Sequence, residues 1–179
     1  GWLYGAGWRV YAGLYASGIK RATARHPRAI RVGGLMAGGV GKSPVTIHLA
    51  EVLAEMGRSV TIGASGYGSP RAEAATLAPA GPLDPAEWGD EPAMLRERLP
   101  EVPLVVGRRR VLAAALAYEN DPDGVLLMDD GFQHLPLATA LSLVIDPVRP
   151  ESARCLPVGP YREPRGFGRR RADAVLETG

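Results

Sequence analysis

The stretch AIRVGGLMAGGVGKSP, residues 29–44, sets the tightest condition on what this chain can fold into. An apolar run enters a loop rich in glycine, and Lys42, Ser43 and Pro44 open the next segment. Beyond it Val45, Leu49, Val52, Leu53 and Met56 fall at i, i+4, i+7, i+8 and i+11, the spacing of one helix face. Pro44 is tolerated in a first turn, where amide donors have no helical partner, and Gly57 is placed to cap the far end. SVTIGAS then reads as a second strand, so residues 29–65 form a strand–helix–strand unit. Further apolar runs follow at VPLVVG, GVLLMDD, LSLVID and ADAVLET, with helices predicted over 92–99 and 109–118 and a loop from Pro70 to Pro85. This alternation predicts an α/β fold, a mostly parallel sheet with helices on both faces.

The loop carries chemistry. The strict phosphate-loop pattern G-x-x-x-x-G-K-[ST] asks for glycine where Met36 stands, but the tight wrap is made by residues 38–43. Gly38, Gly39, Val40 and Gly41 bring backbone amides to a helix N-terminus, Lys42 adds a compact positive charge and Ser43 a hydroxyl. Of 21 basic residues only Lys20 and Lys42 are lysines, so a lysine here marks a site that wants a point charge. A metal partner lies downstream: the apolar run Val125 to Met128 ends in Asp129 and Asp130, the Walker-B arrangement. The expected ligands are ATP and Mg²⁺, the metal held by Ser43, Asp129 and Asp130, on a fold of the P-loop NTPase type.

Charge is distributed unevenly. Residues 1–50 contain no Asp or Glu but seven basic residues, leaving 14 basic and 19 acidic for the rest. Tyr4, Trp8, Tyr11 and Tyr15 recur at helical spacing, with Lys20, Arg21 and Arg25 beyond them. Aromatics with a polar tip suit a membrane interface, and basic residues suit anionic head groups. An interfacial helix over residues 1–27 is therefore expected, ahead of an α/β domain over 28–179; a helix packed on its own domain is the alternative. No helix-turn-helix or zinc spacing accompanies the arm, so no nucleic-acid partner is expected. Cys155 is alone, no apolar run is long enough to span a bilayer, and no signal-peptide pattern is legible.

The motifs GGLMAGGVGKSP, GYG at 66–68, GDEP at 89–92, DDGFQH at 129–134 and LPVGPYREP at 156–164 together resemble the tetraacyldisaccharide 4′-kinase family, in order and in spacing. The resemblance implies transfer of the ATP γ-phosphate to the 4′-hydroxyl of a lipid A disaccharide precursor. It also implies peripheral contact with the cytoplasmic face of the inner membrane, by a chain expected to act as a monomer. It implies a proton-accepting role for Asp90 and phosphate-steadying roles for Arg110 and Arg162 beside Lys42. Glu163 matches without a defined role. Ser65 stands where the family usually has Arg, Gly34 where it commonly has Asn, Met36 where a small hydroxyl is common, and Ser43 where it has Thr. The family's second lobe is expected to be absent. Without the resemblance, Asp90 reads as a helix cap, His134 and His48 as structural, and Arg169 to Arg171 as a solvated charge run. A different P-loop NTPase, or a relative that binds nucleotide without catalysis, stays open on these residues.

Overall fold

The computed structural model describes residues 1–38 and 41–179. A helix, α1 (Trp2–Ala16), precedes strand β1 (Ala29–Gly34), helix α2 (Lys42–Glu55) and strand β2 (Val60–Ala64). The short strand β3 (Thr76–Leu77) and helices α3 (Pro85–Trp88) and α4 (Asp90–Arg98) follow, then β4 (Leu104–Val106), α5 (Arg110–Asn120) and β5 (Val125–Met128). The chain ends through β6 (Leu141–Pro147), α6 (Arg165–Arg171) and β7 (Ala174–Thr178). One seven-stranded sheet runs β3-β4-β2-β5-β1-β6-β7. Every pairing is parallel except that of β3 with β4.

The predicted α/β class is what forms, and the reason lies in the strands. A parallel sheet is covered on both faces, so its central strands are near-continuous apolar runs, broken here by Arg31 in β1 and Thr61 in β2. In β5, Leu127 packs with Ile47, Leu95 and Ile62 beneath α2 and α4. Its neighbours Leu126 and Met128 turn to the opposite face, where Ala113, Ala114 and Ala117 let α5 approach closely. Pro44 sits in the first turn of α2, and Gly57, at φ +70°, follows its last turn as expected. The most buried residues of α2 are Thr46, Ile47 and Ala50, about a third of a turn round from the centre of the stripe read in the sequence; Leu49 and Leu53 of that stripe pack against the same core, and Met56 is exposed.

Three local expectations change. The segment from Pro70 to Pro85 holds β3, which exists only through its ladder to β4, and leads directly into α3. Arg169 to Arg171 are not a solvated run. They form the last turn of α6, where Arg169 meets the fully buried Asp146 at 2.7 Å and Arg171 meets the fully buried Glu163 at 2.8 Å. In α1, Gly5 and Ala12 are the buried residues, with Gly5 against Pro164 and Cys155. Trp8 stacks on Tyr11, which meets Tyr15 edge to face; these three are half-buried, Trp8 faces Arg171 of α6, and Tyr4 stays exposed. The open apolar surface of α1 is instead Trp2, Leu3 and Val10, which are 80%, 69% and 66% exposed.

Candidate phosphate and metal site

Strands β1 and β5 are neighbours, and both stop at the carboxyl edge of the sheet, where open α/β folds receive ligands. From β1 the chain turns into α2 through Gly41, whose φ of +79° lies in the left-handed region that glycine enters without strain. No side chain caps α2, so its first amides are not spent on a capping group and face the loop. Gly39 and Val40, expected to help wrap the phosphates, lie outside the described residues.

The first turn of α2 meets the end of β5. Ser43 Oγ donates to Asp129 Oδ2 at 3.0 Å. Thr46 Oγ1 donates to Asp129 Oδ1 at 2.8 Å, and the Asp130 amide donates to the same oxygen at 3.1 Å. Asp129 is completely buried, so these three donors are what keeps its charge tolerable. Thr46 was missed in the sequence. Its one signal is that it stands three residues after Ser43 and therefore on the same side of the helix.

Asp130 takes a left-handed backbone, φ +46°, rare for a residue with a side chain and frequent at functional sites. That conformation turns its carboxylate toward two cations. Arg162 Nη1 lies 2.9 and 3.0 Å from its oxygens, and Lys42 Nζ lies 3.6 Å away while also donating to the Gly38 carbonyl at 3.1 Å. The expected Lys42, Ser43, Asp129, Asp130 and Arg162 therefore converge. Arg110 is buried beneath them, its Nη2 donating to the Asp129 carbonyl oxygen at 2.7 Å. Burial pulls its pKa down, opposed by the carboxylates of Glu91, Asp130 and Asp129. It orients the backbone of the acidic pair from below.

Asp90 opens α4 but makes no capping hydrogen bond, and Gly89 occupies the cap position. Its exposed carboxylate borders a cleft of about 600 Å³ walled by Leu83, Ala93 and Met94. An adjoining cleft of about 560 Å³ contains Ser43, and the two share Met94 and Glu97. His134 is half-buried; burial lowers its pKa, helped by Arg110 and Arg31, as suits a neutral structural imidazole.

Glu91, beside Asp90, was not singled out in the sequence. Its carboxylate accepts from Ser65 Oγ at 3.1 Å, so Ser65 contacts it from the place where the family usually has arginine. Burial pushes its pKa up, the Asp129 carboxylate adds to this, and the Arg110 guanidinium opposes it. A carboxyl group with a raised folded pKa favours folding while protonated. That stability is fully present below the ordinary Glu value of 4.5 and is lost as pH climbs through the folded value. Glu91→Gln is thus expected to melt above the parent at pH 8 and level with it near pH 4. A parallel pair of melting curves at all pH values would contradict this.

The oxygen donors of Ser43, Asp129 and Asp130 form a hard set suited to a small divalent cation, with two fixed positive side chains alongside. Comparison with known proteins gives the same direction. The sequence profile of the tetraacyldisaccharide-1-P 4′-kinase family matches residues 1–179. The tetraacyldisaccharide 4′-kinase of Anaeromyxobacter sp. (strain K) is 43% identical over 161 residues, which is 88% of this chain and 43% of that protein. That of Geobacter sulfurreducens is 40% identical over 184 residues, 98% of this chain and 51% of the relative. A crystal structure of LpxK from Aquifex aeolicus in complex with ATP superposes with a TM-score of 0.89 at 30% identity, over 99% of this chain and 56% of that one. The chain spans about half the length of the curated relatives it matches.

Proposed function

From the premise that the chain belongs to the tetraacyldisaccharide-1-P 4′-kinase family, we propose that it uses ATP to phosphorylate the 4′-hydroxyl of a tetraacylated glucosamine disaccharide 1-phosphate, a lipid A precursor. The observation that carries this is the contact of Ser43 with Asp129, beside the cluster of Lys42, Asp130 and Arg162. The amides at the start of α2 and Lys42 hold the phosphates. Ser43, Asp129 and Asp130 would hold Mg²⁺, which when bound spreads the charge of the transferred group. Arg162 offers the same group a second cation once it swings from Asp130. Asp90, open to solvent on the cleft next to Ser43, takes the proton of the acceptor hydroxyl as its oxygen bonds to the γ-phosphorus and the bond to ADP breaks. The test is transfer of labelled γ-phosphate from ATP to the lipid acceptor in mixed micelles. ATP binding with no labelled lipid would favour a non-catalytic nucleotide binder instead.

Such an acceptor stays in a bilayer, so the site must be brought to it. No helix among the described residues is long and apolar enough to cross a membrane. We therefore assign peripheral contact to the outer face of α1, through Trp2, Leu3 and Val10, with the exposed Lys20, Arg21 and Arg25 beside anionic head groups. Trp2→Ser with Leu3→Ser is expected to weaken co-sedimentation with anionic vesicles about 30-fold, as roughly 2 kcal/mol of apolar contact implies. The melting temperature should hold, since both side chains are exposed. Trp8→Ser should instead lower it, because Trp8 is half-buried against the domain. Equal vesicle binding by parent and double variant would exclude this face.

A further inference from the structure

Arg171 ends α6 with its side chain turned into the domain. Its Nη2 donates to both oxygens of Glu163, at 2.8 and 3.0 Å, and its Nε lies 3.3 Å from the second. Glu163 is fully buried. Its Oε1 also accepts from Gln133 Nε2 at 3.2 Å, an amide that reaches the Gly34 carbonyl, at the end of β1, at 2.9 Å. The preceding residue is Arg162, whose backbone amide donates to the Leu35 carbonyl at 2.7 Å while its side chain grips Asp130. Helix α6 presses on the same carboxylate. A Cβ on Gly168 would stand 2.3 Å from Leu35 Cδ2 and 3.0 Å from the Glu163 carboxyl carbon, so only glycine lets the helix sit this close. The Arg171 guanidinium lies 4.2 Å from the centre of the Phe132 ring and 5.9 Å from that of Trp8 in α1.

We propose that Arg171 is a positioning residue of the phosphate site. A buried carboxylate without a partner is costly, and a guanidinium fork fixes its plane as well as its charge. By fixing Glu163, Arg171 sets the backbone of residues 162–163 and hence the reach of Arg162 to Asp130. Phe132 and Trp8 in turn fix the guanidinium, so the seat of α1 and the geometry of the acidic pair share one side chain. A lysine supplies the charge without the fork.

The role rests on the nucleotide reading above, and the test separates the two. Arg171→Lys and Glu163→Gln are made in the full chain, and Mg²⁺-dependent ATP binding is followed by calorimetry well below each melting temperature. Each variant is expected to need about tenfold more Mg²⁺ for half-maximal ATP binding, and the double variant no more than either. Arg171→Lys keeps a cation against Glu163, so the chain stays folded for the measurement. An arginine that only holds α6 in place would lower the melting temperature and leave the Mg²⁺ requirement of the folded protein unchanged; that result overturns the proposal. A second arm needs no nucleotide: Arg171→Lys and Arg162→Gln should shift the melting temperature non-additively, whereas strictly additive shifts overturn the proposal. A parent that binds no ATP sinks the nucleotide reading, and the melting cycle then decides the positioning role alone.

Discussion

Lys42→Ala is expected to lose phosphoryl transfer by roughly a thousandfold, the scale on which a fixed charge-stabilising group acts in a reaction of this kind. The fold should survive. Among the described residues the Lys42 ammonium contacts the Gly38 carbonyl and, at 3.6 Å, Asp130, whose carboxylate keeps Arg162 at 2.9 Å when the lysine is gone. Part-exposed pairs of this kind contribute about 1 kcal/mol or less, so the melting temperature should move by no more than a few degrees. Lys42→Arg should not restore transfer, because a planar fork cannot occupy the space of a compact ammonium. The measurement is labelled-phosphate transfer beside a melting curve. Near-normal transfer by the alanine variant would remove the glycine loop from the reaction.

The same residues show how far the sequence can be read. Strands β1, β2, β4, β5, β6 and β7 were legible because each is an apolar run bounded by glycine, proline or acid, as buried parallel strands must be. Strand β3 was not, because two residues become a strand only through their partner β4. Helix α6 was hidden by its own composition: Gly166, Gly168 and four arginines look like a solvated turn, and the helix is held by buried Asp146 of β6 and by buried Glu163 just ahead of it. In α1 the period announced a helix but not which face turns inward. Aromatics serve a core and a membrane interface alike, and here the small Gly5 and Ala12 decide the contact. At the site, Lys42, Ser43, Asp129 and Asp130 were legible because glycine loop and acidic strand end follow from local spacing. Thr46, Glu91 and Arg171 were not, since each acts on a residue from another segment: Asp129, Ser65 and Glu163. Arg110 was legible as a site residue, but its contact with the Asp129 carbonyl was not.

Asp129→Asn should impair metal handling more than any change at Asp130, and it should cost more stability as well. In the parent, Asp129 Oδ2 accepts the Ser43 hydroxyl proton, which leaves the lone pairs of Ser43 free for a cation. Oδ1 accepts from Thr46 and from the Asp130 amide. The amide N–H of Asp130 can only donate, so asparagine must place its oxygen there and its NH₂ toward Ser43. Ser43 then rotates to accept, and the lone pair proposed for Mg²⁺ is spent on the amide. One charge is lost as well, and a hard cation prefers carboxylate oxygen. The Mg²⁺ concentration for half-maximal ATP binding is expected to rise at least tenfold. The fold loses one charge-assisted hydrogen bond, and the second N–H of the buried asparagine finds no acceptor among the described residues, so the cost should be about 2–3 kcal/mol. Asp130→Asn removes the counter-charge of Arg162 and Lys42 instead. Its carboxylate is about one-quarter exposed, so its stability cost should be smaller, while its Mg²⁺ requirement also rises. An Asp129→Asn variant that melts lower but titrates with Mg²⁺ like the parent would show Asp129 to be a strand-end anchor and leave the metal to Asp130.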